Sequence, residues 1–149
     1  MQKRIKNGAL LAFLVVLLLA FMTGCASKPI VEQYKMLDSA ADLRLMILES
    51  AGRYYKVGII DEDTKNRIQE IDLLVQETGK TATARLKEVD RLNTLNKLDP
   101  GTVPADEYLA AQQAYEAAKA NFRKQWAELN RVVAPWLLKW LEEAAEGGN

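Results

Sequence analysis

Three long segments of the chain place apolar residues at steps of three and four, which is the spacing of one face of an α-helix. The first segment, residues 30–57, carries Ile30, Tyr34, Leu37, Ala41, Leu45, Leu48, Ala51 and Tyr55. The second, residues 62–97, carries Ile68, Ile71, Val75, Thr78, Ala82, Leu86, Val89 and Leu92. The third, residues 104–146, carries Tyr108, Ala111, Tyr115, Ala118, Phe122, Trp126, Leu129, Val133, Trp136 and Trp140. No comparable segment alternates with a period of two, so we expect helices and no strands.

Residues with strong local preferences separate these segments. Gly58 suits the left-handed conformation that ends a helix, and Asp61 suits the N-cap of the next one. The acids at 61–63 lack the alternating oxygen ligands of a calcium loop, so capping is a better interpretation than a cation site. Pro100 and Gly101 predict a tight turn, and Pro104 suits the first turn of a third helix.

Two residues interrupt the predicted helices. Gly79 costs about 1 kcal/mol in a helix interior, so the second helix is expected to be weak or bent there. Pro135 is expected to kink or break the third helix. Short connections between long helices favour antiparallel neighbours. The body, residues 30–146, is therefore predicted to be an all-α, antiparallel three-helix bundle.

A different apolar pattern precedes the body. Lys3, Arg4 and Lys6 form a positively charged start, and an apolar run of 14 residues follows at 9–22. That run is shorter than the roughly 20 residues that a helix needs to span a bilayer. It is typical of the hydrophobic region of a secretory signal peptide.

Met22, Thr23, Gly24 and Cys25 follow this run directly. They resemble the lipobox of bacterial lipoproteins, in which an aliphatic residue, a small residue and Gly or Ala precede Cys. The resemblance implies a signal peptide at 1–24, cleavage between Gly24 and Cys25, diacylglycerol on the sulfur of Cys25, and acylation of the new amino terminus. Residues 25–29 would then be a lipidated tether. The alternative is an uncleaved signal anchor with an incidental cysteine.

The residue after the cysteine indicates which membrane the lipoprotein would reach. In Gram-negative lipoproteins, Asp at this position tends to retain the protein at the inner membrane. Ala26 therefore implies an outer-membrane lipoprotein that faces the periplasm, if the source is Gram-negative. Two or three acyl chains would hold it firmly, because each buried methylene contributes roughly 0.8 kcal/mol.

Composition argues against several kinds of chemistry. The 149 residues include one cysteine and no histidine, which excludes an internal disulfide and every His-dependent nucleophile or zinc site. We find no catalytic motif, no metal site and no cofactor motif, and a carboxylate- or tyrosine-based enzyme is the weakest alternative. The chain carries 20 basic and 20 acidic residues, and loss of the leader would leave a net charge near −3. Such a body is not expected to bind nucleic acid.

The end of the third segment is unusually apolar. Trp136 and Trp140 share one side of the predicted helix, and Leu137 and Leu141 widen the apolar surface. Three interpretations stay open: packing in the bundle core, contact with a partner protein, and contact with the membrane interface.

Residues 51–64 join an aromatic residue, a glycine, an isoleucine and a helix start rich in acids. This stretch resembles a turn in small, uncharacterised helical lipoproteins of bacteria and their prophages, and it implies no activity. The expected function is a non-enzymatic scaffold or binding module of the cell envelope, held to the membrane by lipid on Cys25, with an envelope protein as partner. The alternative is a prophage-encoded envelope protein that affects the host surface or lysis. The sequence does not predict an oligomeric state.

Overall fold

A computed structural model describes the backbone of residues 29–146 and the side chains up to residue 136. Three helices form this part of the chain: α1 is Ile30–Lys56, α2 is Glu62–Leu98, and α3 is Ala105–Glu146. No strand occurs within residues 29–146. The predicted fold class is therefore confirmed, and each helix begins and ends within one residue of its expected position.

The middle helix α2 packs against both α1 and α3. Short connections at 57–61 and 99–104 reverse the chain twice, so α1 and α3 run in the same direction and α2 runs against them. We call the end that holds Pro29 and the 99–104 turn the tether end. We call the opposite end, which holds the 57–61 turn, the distal end.

The turns use the residues that the sequence singled out. Gly58 has φ 76° and Gly101 has φ 91°, the left-handed region in which glycine is favoured. The Asp61 carboxylate caps α2 by accepting a hydrogen bond from the Thr64 backbone N–H at 2.8 Å. Hydrogen bonding from the side chain and then the backbone N–H of Thr64 lowers the pKa of Asp61. The acids at 61–63 therefore begin a helix, as predicted.

The core lies between the three apolar faces. All the predicted positions of α2 except half-buried Thr78 are buried, and five of those of α3 are more than nine-tenths buried between Tyr115 and Val133. The predicted face of α1 is partly wrong. Ala41 is exposed, Leu45 is 55% exposed and Tyr55 is 38% exposed.

In α1 the buried row passes instead through Leu37, Ala40, Leu43, Ile47 and Ala51. Residues 45–48 are all apolar, so steps of three and four follow either of two neighbouring rows. The position of α1 against α2 and α3 selects one of these rows, and helical spacing within α1 does not report that position.

Neither of the two expected interruptions breaks its helix. α2 continues through Gly79, where an added Cβ would lie 3.2 Å from Cε2 of Phe122. The glycine thus allows a close approach of α2 and α3. α3 runs past Pro135 to Glu146 without a break, although the proline cannot donate the usual backbone hydrogen bond.

Candidate functional site

The predicted anchor residues lie outside the described part of the chain. These are Gly24 and Cys25, with the signal peptide at 1–24 before them. Pro29, the first described residue, immediately precedes α1. Lipid attachment at Cys25 therefore stays a prediction, and the described fold locates the end of the bundle from which the tether leaves.

Trp136 lies in the core at the distal end. Its side chain is 4% exposed, and its ring meets Tyr54 of α1 edge-on, with centroids 4.9 Å apart. The indole N–H has no hydrogen-bond acceptor among the described residues. For Trp136 the structure therefore agrees with core packing. The side chains of Leu137, Trp140 and Leu141 lie beyond the described side chains, so a contact through them stays a prediction.

A cleft of about 790 Å³ opens at the tether end. The start of α1, the second half of α2 and the first half of α3 each contribute to its walls. Its buried floor contains Leu86, Val89 and Tyr115, and Lys97, Gln112 and Glu116 stand exposed along its edge. We call it the tether-end cleft. Its volume is within the range of sites that bind small molecules in proteins.

Three tyrosines line the tether-end cleft, one from α1 and two from α3: Tyr34, Tyr108 and Tyr115. Tyr115 is 3% exposed, and its hydroxyl has no hydrogen-bond partner within the described residues. Burial, with the nearby Glu116 carboxylate, raises the pKa of Tyr115 to about 12. Burial and Asp90 also raise the pKa of Tyr34. The phenols of Tyr34 and Tyr115 therefore stay neutral at ordinary pH. The three rings give the cleft an apolar wall with hydroxyl groups at its tips.

A smaller groove of about 430 Å³ lies between α1 and α2, with Phe122 of α3 at its base. Beside it, Arg44 donates a hydrogen bond to the Asp72 carboxylate at 2.7 Å, and both side chains are largely buried. Burial of Asp72 outweighs the attraction of Arg44 and raises the pKa of the carboxyl group. Neither residue belongs to the predicted apolar rows, so the sequence patterns missed this link between α1 and α2.

Within residues 29–146 we find no group of His, Cys, Asp or Glu arranged to hold a metal ion. None of the described helices is both long and apolar enough to cross a membrane. The sequence also missed the tether-end cleft. All three of its tyrosines belong to the predicted apolar rows, and the segments that carry them meet at one end of the bundle. This clustering of tyrosines could have indicated the cleft.

No model of a known protein family, no curated protein and no solved structure matches the chain.

Proposed function

We propose that this protein is a lipoprotein of the bacterial cell envelope, anchored by lipid on Cys25, whose helical bundle binds or scaffolds another envelope component without catalysing a reaction. The observation that carries the proposal is the charged start, short apolar run and Met22–Cys25 box directly before a compact helical body. In the proposal the protein is an outer-membrane lipoprotein that faces the periplasm.

The geometry of the bundle supports a tethered module. α1 begins at Ile30, only five residues after Cys25, so the tether is too short to separate the bundle far from the membrane surface. The 27 residues of α1 rise about 40 Å, because each helical residue adds 1.5 Å. An upright bundle would carry its distal end that far above the lipid.

The direction of α3 favours a protein partner over a membrane contact for the Trp-rich segment. α3 runs parallel to α1, so residues 137–141 follow Trp136 at the distal end, away from the tether. Trp140 would then meet a component of the periplasm, with Leu137 and Leu141 beside it. Aromatic and aliphatic anchors of this kind supply much of the binding energy in protein interfaces.

The anchor is tested by growing cells with a clickable fatty acid and comparing the wild type with Cys25→Ser. We expect label on the wild type and none on the variant, because the thioether needs the sulfur. Ala26→Asp is expected to shift the labelled protein from outer-membrane to inner-membrane fractions, and Ala26→Ser serves as the matched control. A wild-type protein that takes up no label would refute the anchor.

The binding role is tested by cross-linking in intact cells followed by pull-down. Trp140→Ser is expected to remove a specific cross-linked partner, whereas Leu109→Ser, at an exposed apolar position of the same helix, is expected to retain it. Recovery of the same proteins with both variants would contradict a contact through Trp140.

A prophage-encoded protein that alters the host surface or assists lysis is the second candidate. It is favoured by the resemblance of residues 51–64, which contain the distal turn, to small helical lipoproteins of bacteria and their prophages. Its test is the genomic setting: neighbouring phage genes are expected, and a chromosomal setting far from any phage gene would refute it.

A further inference from the structure

We propose that the tether-end cleft holds one acyl chain of the protein's own Cys25 lipid when the protein is out of the bilayer. This inference rests on the proposed lipidation of Cys25, and it names the ligand of the cleft: a single long hydrocarbon chain, covalently attached to the same molecule.

The first argument is reach. Pro29 and Ile30 line the cleft, and Pro29 follows Cys25 by four residues. Four extended residues span at most about 14 Å, so the modified cysteine stays within that distance of the edge of the cleft. One leaflet of the bilayer core is about 15 Å thick, which is the reach of one acyl chain. An acyl chain attached to Cys25 can therefore fold back into the cleft.

The second argument is size and chemistry. α2 lines the cleft from Leu86 to Lys97, a rise of about 17 Å along the helix, which matches the length of one chain. The half-buried side chains of Ile30, Tyr34 and Tyr108 supply the apolar surface that an acyl chain would contact, above a buried layer of Leu86, Val89 and Tyr115. Exposed polar side chains border the cleft, so an acyl chain in it would have apolar side chains on its inner side and water at its outer edge.

The third argument separates this occupant from a free lipid or a second copy. A ligand tethered by a few residues has an effective concentration in the millimolar range, well above that of a dilute copy in solution. Within the bilayer the same acyl chain already lies in hydrocarbon, so its transfer into the cleft would lower the free energy little. In water the cleft gives it apolar surface, so occupancy is expected only off the membrane.

The test uses the full, processed lipoprotein labelled in cells with a fatty acid that carries a photoreactive diazirine and a clickable alkyne. Irradiation follows either in membranes or after dilution of the purified protein below the micelle threshold of its detergent. Mass spectrometry of the peptides then locates the adducts. Off the membrane, we expect adducts on peptides that contain Tyr34, Asn93 or Tyr108, which line the cleft and are half-buried, with few on the groove beside Lys80. In membranes, we expect adducts with phospholipid.

An exposed pair of neighbouring residues provides the matched variants. Gln112 lines the cleft, and Gln113 does not. Gln112→Trp is expected to reduce the cleft adducts about tenfold, which corresponds to a loss of about 1.4 kcal/mol of binding free energy. Gln113→Trp is expected to leave them unchanged.

Two outcomes would overturn the inference while leaving lipidation intact. One is a labelled Cys25 whose adducts show no preference for the cleft. The other appears when the labelled protein is mixed with an unlabelled copy grown in heavy nitrogen: adducts on heavy peptides would show that the chain reaches a second molecule instead. Absence of label from Cys25 would refute the anchor itself.

Discussion

The two ends of the bundle are built from the same helical spacing but close differently. At the distal end, Leu129 and Val133 are completely buried, and Trp136 closes the core against Tyr54. At the tether end, Tyr34 and Tyr108 are only half-buried and line a cleft. The two ends thus share one helical spacing and differ in how the side chains fill the space between the helices.

The difference follows from the path of the chain. α1 and α3 are parallel and are both held by α2, so the space between them depends on the side chains that fill it. Trp126 and Trp136 fill this space towards the distal end. At the other end the half-buried rings of Tyr34 and Tyr108 leave a cleft that is open to solvent above its buried floor.

The largest expected effect contrasts the two ends directly. Trp126 is 2% exposed, so Trp126→Ala is expected to lower the free energy of unfolding by about 3–5 kcal/mol, through lost apolar burial and the cavity that remains. Tyr108→Ala, at the cleft, is expected to cost only about 1 kcal/mol because the side chain is already half in water. Urea unfolding monitored by circular dichroism measures both. Equal losses would refute the contrast.

The second prediction concerns the ion pair between the two ends. Arg44→Met leaves the buried Asp72 carboxylate without its partner and is expected to cost about 3 kcal/mol at pH 7. The double variant Arg44→Met with Asp72→Leu is expected to recover most of that loss, because it removes both buried charges. A single variant as stable as the wild type would show that the pair contributes nothing.

The cost of Arg44→Met is expected to depend on pH. Burial raises the pKa of Asp72 above its ordinary value of 3.8, so the folded state favours the protonated carboxyl group. The stability that this protonation gives is present below pH 3.8 and is lost as the pH rises through the raised pKa. Removing the guanidinium raises the pKa further. The deficit of the variant is therefore largest near pH 7 and shrinks towards pH 4. Unfolding curves at both pH values test this, and a constant deficit would contradict it.

Much of the fold followed from the sequence because local chemistry decides helix boundaries. Asp61, Gly58 and Gly101 act through their own backbone or cap, and each lies where the pattern placed it. The face of α1 was mispredicted at Leu45, since its burial depends on contacts with other helices. The cleft was missed for the same reason: spacing reports which residues share a face, and it does not report how closely the facing helices approach.

Two glycines in helix interiors, Gly52 and Gly79, differ in the space around them. An added Cβ at Gly52, near the distal end of α1, meets nothing within 4 Å, whereas at Gly79 it meets Phe122. Gly52→Ala is expected to raise the free energy of unfolding by about 0.5–1 kcal/mol through helix propensity. Gly79→Ala is expected to gain nothing, because the contact with the ring offsets that benefit. Thermal unfolding compares the pair, and an equal gain in both would show that the close approach at Gly79 is unimportant.

The smallest expected effect concerns the buried hydroxyl of Tyr115 at the floor of the cleft. The buried hydroxyl of Tyr115 has no partner among the described residues, so Tyr115→Phe removes a desolvated group and is expected to be neutral or to stabilise by up to about 1 kcal/mol. In spectroscopic titration, the phenol that ionises near pH 12 should disappear from the variant. A loss of stability on removing the hydroxyl would mean that it has a bound partner in solution. That result would show that the buried floor of the cleft holds a hydrogen-bonded group, whereas the indole N–H of Trp136 at the distal end has no acceptor among the described residues.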